Sequence, residues 1–543
     1  MYSARVAQVV VAALVTLSPR EALAGGFELP DNGTQSLGRG AAFVAKADDP
    51  TAIYYNPAGL ARQRGTKVLL DLNVHVHSFS FQRAGRFADN PADPATPWGG
   101  QPYPVSASSG EPAFAPFFAA STDFGTFDRL TVAVGVFGPP AIPNRTFPLG
   151  VGGRPASTRY DYVQSRSLIA YPSAALAYRV TPWLDLGATG HVVVAKFDET
   201  SVSFSEAVAG QCKTPEYQPC DSQSTLEASA TTFAATFGAL ARPTENVEIG
   251  ASVRNAVMLN ASGTLTPQAP KIAPIQLSPG DAKLSLALPV IVRVGARWIE
   301  RDGDFERYDL ELDATYEAWS STQNPDPVVT VPDLGMFKDV QSVVTHQYKD
   351  TFSVRAGGAY NIEGREGVLS LRAGAFYDSS STDAAYTRVD FDTLAKVAGT
   401  VGLGVKHGAF ALDLAYAAVA SVPRTVEPGQ GRVFPINGAK GGAPINGNGD
   451  PLPAVNEGAY RAFTHIFSVG ATVTFDLLFG AARRVHYGNR YERGYVPPAD
   501  ESSDERHDRA EAEPAPPPTK RRVDEKAKTK PKPNKQEWWE ELG

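Results

Sequence analysis

Residues 310–318 read LELDATYEA. In an extended chain Leu310, Leu312, Ala314, Tyr316 and Ala318 lie on one face, while Glu311, Asp313, Thr315 and Glu317 lie on the other. One face suits oil and the other suits water. The pattern recurs along the chain. Val68 to Val76 alternate with Asp71, Asn73, His75 and His77; Leu184, Leu186 and Ala188 alternate with Asp185 and Thr189. Val247 to Val253 alternate with Glu248, Ser252 and Arg254, and Val290 to Trp298 alternate with Arg293 and Arg297. Phe352 to Ala356 enclose Arg355, Leu369 to Ala373 enclose Arg372, and Phe410 to Tyr416 enclose Asp413. With less regular segments included, strands are expected near 67–82, 112–122, 129–137, 166–178, 183–205, 226–241, 247–261, 282–299, 305–319, 342–360, 367–378, 396–406, 409–423 and 461–475. That is about fourteen, an even number, as a bacterial outer-membrane barrel needs.

The connections separate a barrel from a soluble sandwich. From the second strand on, short links (123–128, 179–182, 242–246, 300–304, 361–366 and 406–408) alternate with long ones (138–165, 206–225, 262–281, 320–341, 379–395 and 424–460). Outer-membrane barrels place tight turns on the periplasmic side and long loops outside, whereas a sandwich has no reason to collect its long loops at one end. The fold expected is all-β: a transmembrane antiparallel barrel spanning 65–475 with both chain ends periplasmic. Trp183, Trp298 and Trp319 fall at strand ends, where rings meet a membrane interface.

Composition agrees. The 49 Gly and 43 Pro favour turns, and a net charge of −7 argues against a nucleic-acid partner. A mean hydropathy of −0.21 fits a wall that shows lipid only alternate residues. Residues 1–24 read as a secretory signal, with Arg5, an apolar run from Val6 to Leu17 and Ala22-Leu23-Ala24 before Gly25. Cys212 and Cys220, the two cysteines of this exported chain, suggest one loop-closing disulfide rather than a metal site. The 476–543 segment reads as a periplasmic tail, charged and Pro-rich from about 501 and expected to be disordered there.

Between signal and barrel lies GRGAAFVAKADDPTAIYYNPAGLA, residues 38–61, whose Asn56-Pro57-Ala58-Gly59 stops any regular element. It suits a compact plug over 25–64. Enzymatic signals are weak: His75 and His77 share a polar strand face, no nucleotide-binding loop has the needed spacing, and no nucleophile elbow is present. No cofactor, no metal and no catalysis are expected. Arg254, Arg293, Arg297, Arg355 and Arg372 point inward with Asp185, Glu248, Glu311, Asp313, Glu317 and Asp413, either pairing with one another or also receiving a ligand carboxylate.

In the Gly25-Gly26-Phe27-Glu28-Leu29 start, the Asn56-Pro57-Ala58 motif and the strands ELDATYEAWSS and LRAGAFYDSS, the chain resembles the FadL/TodX family of outer-membrane channels for long-chain fatty acids and other hydrophobic compounds. The resemblance implies an N-terminal hatch plugging the lumen, a ligand pocket containing Phe27, and a hatch motif packed near a kink in the third strand. Here that strand carries Gly135, Gly138 and Pro139, residues that weaken pairing and could open the wall laterally. A basic residue on the family's fifth strand contacts ligand, and Lys196 lies near that place, although parity from Leu184 turns it outward unless a bulge resets the register. The expected ligand set is therefore Phe27, Lys196, Arg254 and Arg293.

The expected function is passive transport of a hydrophobic small molecule, captured by loops bearing Phe147, Leu149 and Val151 and released sideways into the bilayer. A monomer in the Gram-negative outer membrane, surrounded by lipid and lipopolysaccharide, would suffice. The rival reading is a structural or adhesive barrel whose tail tethers envelope components; a general porin is disfavoured by the plug.

Overall fold

The computed structural model describes residues 32–89, 92–108, 110–138, 144–204, 216–272, 277–322, 326–334, 337–435 and 452–478. The signal, Phe27, Pro139, Cys212 and the tail beyond Leu478 lie outside the described residues. Fourteen antiparallel strands follow one another around a closed wall. They are β1 (Lys67–Arg83), β2 (Ala113–Thr122), β3 (Leu130–Phe137), β4 (Leu168–Thr181), β5 (Leu184–Phe204) and β6 (Asp221–Thr244). Strand β7 has two segments, Val247–Arg254 and Val257–Gln268, and β8 has Gly280–Leu288 and Val290–Asp302, split at Pro289. Then come β9 (Phe305–Ala318), β10 (Thr351–Glu363), β11 (Gly367–Asp378), β12 (Lys396–His407), β13 (Phe410–Ser421) and β14 (Gly458–Thr474). The ring closes where β14 pairs with β1 along the whole of both, from Lys67 opposite Thr474 to Arg83 opposite Gly458.

Each of the fourteen expected strands is present. The tenth starts at Thr351 rather than 342, because Phe337–Val343 instead pairs with Val328–Leu334 in a hairpin that extends the first segment of β8 at the long-loop end.

The burial pattern is that of a protein turned inside out. On β9, Leu310 and Leu312 are 60% and 43% exposed, while Asp309, Glu311 and Asp313 are 2%, 3% and 1% exposed. A soluble strand could not sustain this inversion, since buried charge without partners costs several kcal/mol per ion. At the short-turn end Phe124, Phe127, Tyr178, Trp183, Trp298 and Tyr360 stand exposed on the outer wall, a girdle of amphipathic rings. Trp319 does not belong to it. It lies at the other end, fully buried, donating its indole N–H to Glu317 and stacking on Tyr348.

Among the described residues the two longest interruptions of the wall lie between β2 and β3 and between β6 and β7. Among the described residues, strand β2 pairs with β3 only over Phe118–Thr122, and Ala113–Phe117 pair with β1 alone. Between β6 and β7, pairing runs from Thr244 to Thr236 and resumes only at Ser229 opposite Ser262. A bulge at Asn255–Ala256 lies in this break, so inward-facing residues are even-numbered up to Arg254 and odd-numbered from Val257.

Residues 32–64 fill the lumen with two single-turn helices, α1 (Thr34–Leu37) and α2 (Ala52–Tyr55), and a 3-10 turn, Pro57–Arg62. At the opposite end the long loops fold into a cap. It has an apolar centre of Phe79, Phe81, Phe147, Val389, Leu394 and Tyr460. Around that centre His346 bonds Asp390 at 2.8 Å and Arg388 pairs with Asp161 at 2.9 Å.

Candidate functional site

The hatch is seated by two devices, both supplied by strand residues that face inward. The first is a row of carboxylates. The Asp313 carboxylate accepts the Phe43 and Val44 N–H groups at 2.7 and 3.0 Å, and Glu311 accepts those of Ala45 and Lys46 at 2.7 and 3.2 Å. Arg39 grips Asp309 with two parallel bonds of 2.8 and 2.7 Å, and Arg62 does the same to Glu248 at 3.1 and 2.6 Å. Arg297 ties these together, bonding Asp309, Glu248 and Glu306.

The second device is missing side chains. Gly187 faces Gly238 across β5 and β6, Gly250 faces Gly295 across β7 and β8, and Gly357 faces Gly374 across β10 and β11. A Cβ at Gly187 would overlap the Pro57 carbonyl, one at Gly250 the Val44 carbonyl, and one at Gly357 or Gly374 the Arg39 backbone. Only glycine lets the hatch backbone lie directly on the wall. Asn56 is held in that seat. Its side-chain amide donates to the carbonyls of Val44 and Ala239 at 2.9 and 3.0 Å, and its oxygen accepts from the Ala58 N–H.

Behind the first wall interruption lies an aromatic cluster. Phe117 of β2, Phe137 of β3 and Tyr171 of β4 stack in series, with centroids 5.1 and 5.8 Å apart and planes within 8°. The hatch meets this stack edge-on through Tyr54, 5.5 Å from Phe137, and Tyr54 in turn contacts Tyr55, which contacts Phe43. His191 stands against both Phe137 and Tyr171, held by Ser173 and Thr236 at 2.7 and 2.9 Å. Two cations border the rings. Arg293 donates to the Tyr54 hydroxyl at 3.0 Å with its guanidinium 4.8 Å from that ring, and Arg254 lies 5.8 Å from the Tyr171 ring.

A plugged barrel with lipid-facing apolar strands and rings massed behind a wall gap has a counterpart among known proteins. The family described as "Outer membrane protein transport protein (OMPP1/FadL/TodX)" matches residues 15–427. The chain belongs to this family. Solved structures agree on the fold. A Pseudomonas aeruginosa FadL homologue superposes with a TM-score of 0.64 at 17% identity, over 83% of this chain and 100% of its own. The Ralstonia pickettii toluene transporter TbuX gives 0.56 at 16% identity, over 83% and 100%. The P. putida toluene transporter TodX gives 0.56 at 15%, over 79% and 94%. No curated protein matches the chain. As a FadL/TodX family member, the protein is an outer-membrane transporter of hydrophobic compounds.

Within this FadL/TodX fold, Arg254 and Arg293 come together at the aromatic cluster, on neighbouring strands. Lys196 does not. It is exposed on the outer wall between inward-facing Ala195 and Phe197, as parity from Leu184 requires, and no bulge on β5 reverses it. The Asn56-Pro57-Ala58 motif opens the turn Pro57–Arg62, which packs against the third strand as well as the fourth to sixth. The motif itself presses on Gly187 and Gly238 of the fifth and sixth strands, and Ile53, near Gly135, and Tyr54 add further contact with the third strand. Gly135 itself is fully paired, opposite Ala119 and Ser173, and just beyond the end of β3 the Gly138 carbonyl accepts from Asn32. Of the expected capture residues, Phe147 is buried in the cap and Leu149 is exposed. Cys220 is disulfide-bonded.

Sequence reasoning missed Tyr54, Phe117, Phe137 and Tyr171 as a group, because a lone aromatic on an alternating strand carries no sign of which rings it will meet. The glycine pairs were in view, yet their facing partners appear only once strand register is known.

Proposed function

We propose that the protein carries apolar small molecules passively through the outer membrane, from the capped end to the aromatic cluster and then sideways through the gap above Phe137. The observation that carries this reading is the Phe117–Phe137–Tyr171 stack, placed where β2 and β3 part and touched by the hatch through Tyr54. The energetic argument favours a side exit. An acyl chain of about sixteen methylenes gains on the order of 13 kcal/mol on leaving water, at about 0.8 each. A route through a wet lumen would forfeit that gain, whereas a gap in the wall keeps the solute in apolar surroundings throughout.

The short-turn end is assigned to the periplasm and the capped end to the exterior, by the usual asymmetry of such barrels. Solutes of the kind named for the toluene transporters fit the flat faces of the stack, and Arg254 and Arg293 extend the range to acyl carboxylates. Phe27 is kept as a ligand contact, Gly25 as the mature start, Cys212 as the partner of Cys220, and the 476–543 tail as a periplasmic segment. The barrel works as a monomer with lipid and lipopolysaccharide around it.

The test is initial uptake of labelled toluene and labelled palmitate by cells that lack their own channels. Wild type should take up at least one of them well above the empty-vector rate. Tyr54→Ala with Phe137→Ala should cut that rate about tenfold while the barrel still shows its heat-modifiable gel shift, and deletion of Gly25–Phe27 should also reduce it. Uptake unchanged in both variants would sink the route.

A further inference from the structure

The second interruption, between β6 and β7, has the features of an opening. Five residues of β6, Ala230 to Ala234, face the stretch Ala256–Ala261 without strand pairing, next to Ala235, whose carbonyl accepts the Asn255 N–H at 3.2 Å and whose N–H donates to the Asn255 side-chain oxygen at 2.6 Å; β6 pairs continuously with β5 on its other side. Inward-facing residues here are small or apolar, with Ala230, Ala234, Leu259 and Ala261 all under a tenth exposed. Outside, Phe233 is 73% exposed and Met258 45%. The buried apolar cluster that lines the break also contains Phe117, Phe137 and Tyr171, so the two interruptions border the same packed cluster.

Height separates them. Phe137 stands seven residues above Leu130, where β3 starts, and Phe233 stands eleven above Thr244, where β6 ends. At about 3.3 Å per residue and a tilt near 40°, these are roughly 18 and 28 Å from the short-turn side of an apolar band about 25 Å tall. The first gap faces the hydrocarbon interior and the second faces the outer rim.

We infer that the β6–β7 break is a second lateral portal, an entrance by which highly apolar solutes already dissolved in the outer leaflet reach the aromatic cluster without passing the cap. This rests on the transport reading above. Solutes with measurable water solubility use the capped end, and long hydrocarbons, which partition into membrane, use the side.

The test closes the break reversibly in the full-length protein. Ala234→Cys with Val257→Cys places a thiol on each unpaired stretch, with Thr232→Cys and Leu259→Cys as a second pair should the first fail to reach the membrane. Labelled hexadecane and labelled toluene are the probes. Oxidation, verified by loss of free thiol, should lower hexadecane uptake at least fivefold, leave toluene uptake within twofold, and be reversed by reductant. Wild type should respond to neither treatment. Hexadecane uptake at the wild-type rate through the oxidised pair would overturn the portal and show the break to be only a bulge. Absence of uptake of either probe by wild type would overturn the transport reading itself, and the portal with it.

Discussion

The buried ion pairs under the hatch are strong only as a set. Asp309 serves Arg39 and Arg297 together and also accepts the Ala359 N–H at 2.9 Å. Removing one member strands the others in a dry site, which costs about 3–5 kcal/mol. Arg39→Gln should therefore lower the unfolding free energy by that order in micelle denaturation, whereas Lys338→Gln, from an exposed pair with Asp333, should change it by less than about 1 kcal/mol. Gly374→Ala adds one methyl where the Arg39 backbone sits, and should cost about 1–3 kcal/mol by overpacking. Its readout is faster labelling of a cysteine placed in the hatch. In the cap, burial pushes the Asp161 carboxyl up to about 6 against the pull of Arg388. A carboxyl raised above its unfolded value of about 4 favours the folded state when protonated, so its contribution is present below about pH 4 and is lost as pH rises through 6. Protection of the cap from protease should thus weaken from pH 5 to pH 7, and Asp161→Asn should flatten that dependence.

Strands and gaps are legible to different degrees. A period of two is written most plainly into the strands that carry charge inside and apolar side chains outside, and so LELDATYEA assigned the inner and outer faces of β9 before any contact was known. The gap was less legible. Gly135 looked like the weak point because glycine weakens strands, but its neighbours Ala119 and Ser173 pair across it; among the described residues the pairing of β3 ends at Phe137. The β6–β7 bulge had no sequence sign at all, because Asn255-Ala256 interrupts parity by a single residue. Pairing predicts dynamics: amides of Ala113–Phe117 that point away from β1 should exchange with solvent deuterium faster than those of Phe118–Thr122, by about tenfold or more in detergent micelles. Equal rates would mean that the edge is covered.

At the scale of the whole molecule, transport and tethering make opposite demands on the tail. The wall closes at Thr474 and the hatch, gap and aromatic cluster all lie before it. Truncation after Tyr491 should leave solute uptake within twofold of wild type, and a truncated protein that still inserts but transports nothing would show that the tail takes part in transport. One contact, between Thr34 and its two neighbours, concerns how the molecule is made. The Thr34 N–H bonds Asp71 on the first strand at 2.9 Å, and its hydroxyl meets Ser468 on the last strand at 2.7 Å. The stopper thus touches both lips of the seam through one residue, so this contact exists only when the cylinder is closed with its cork in place.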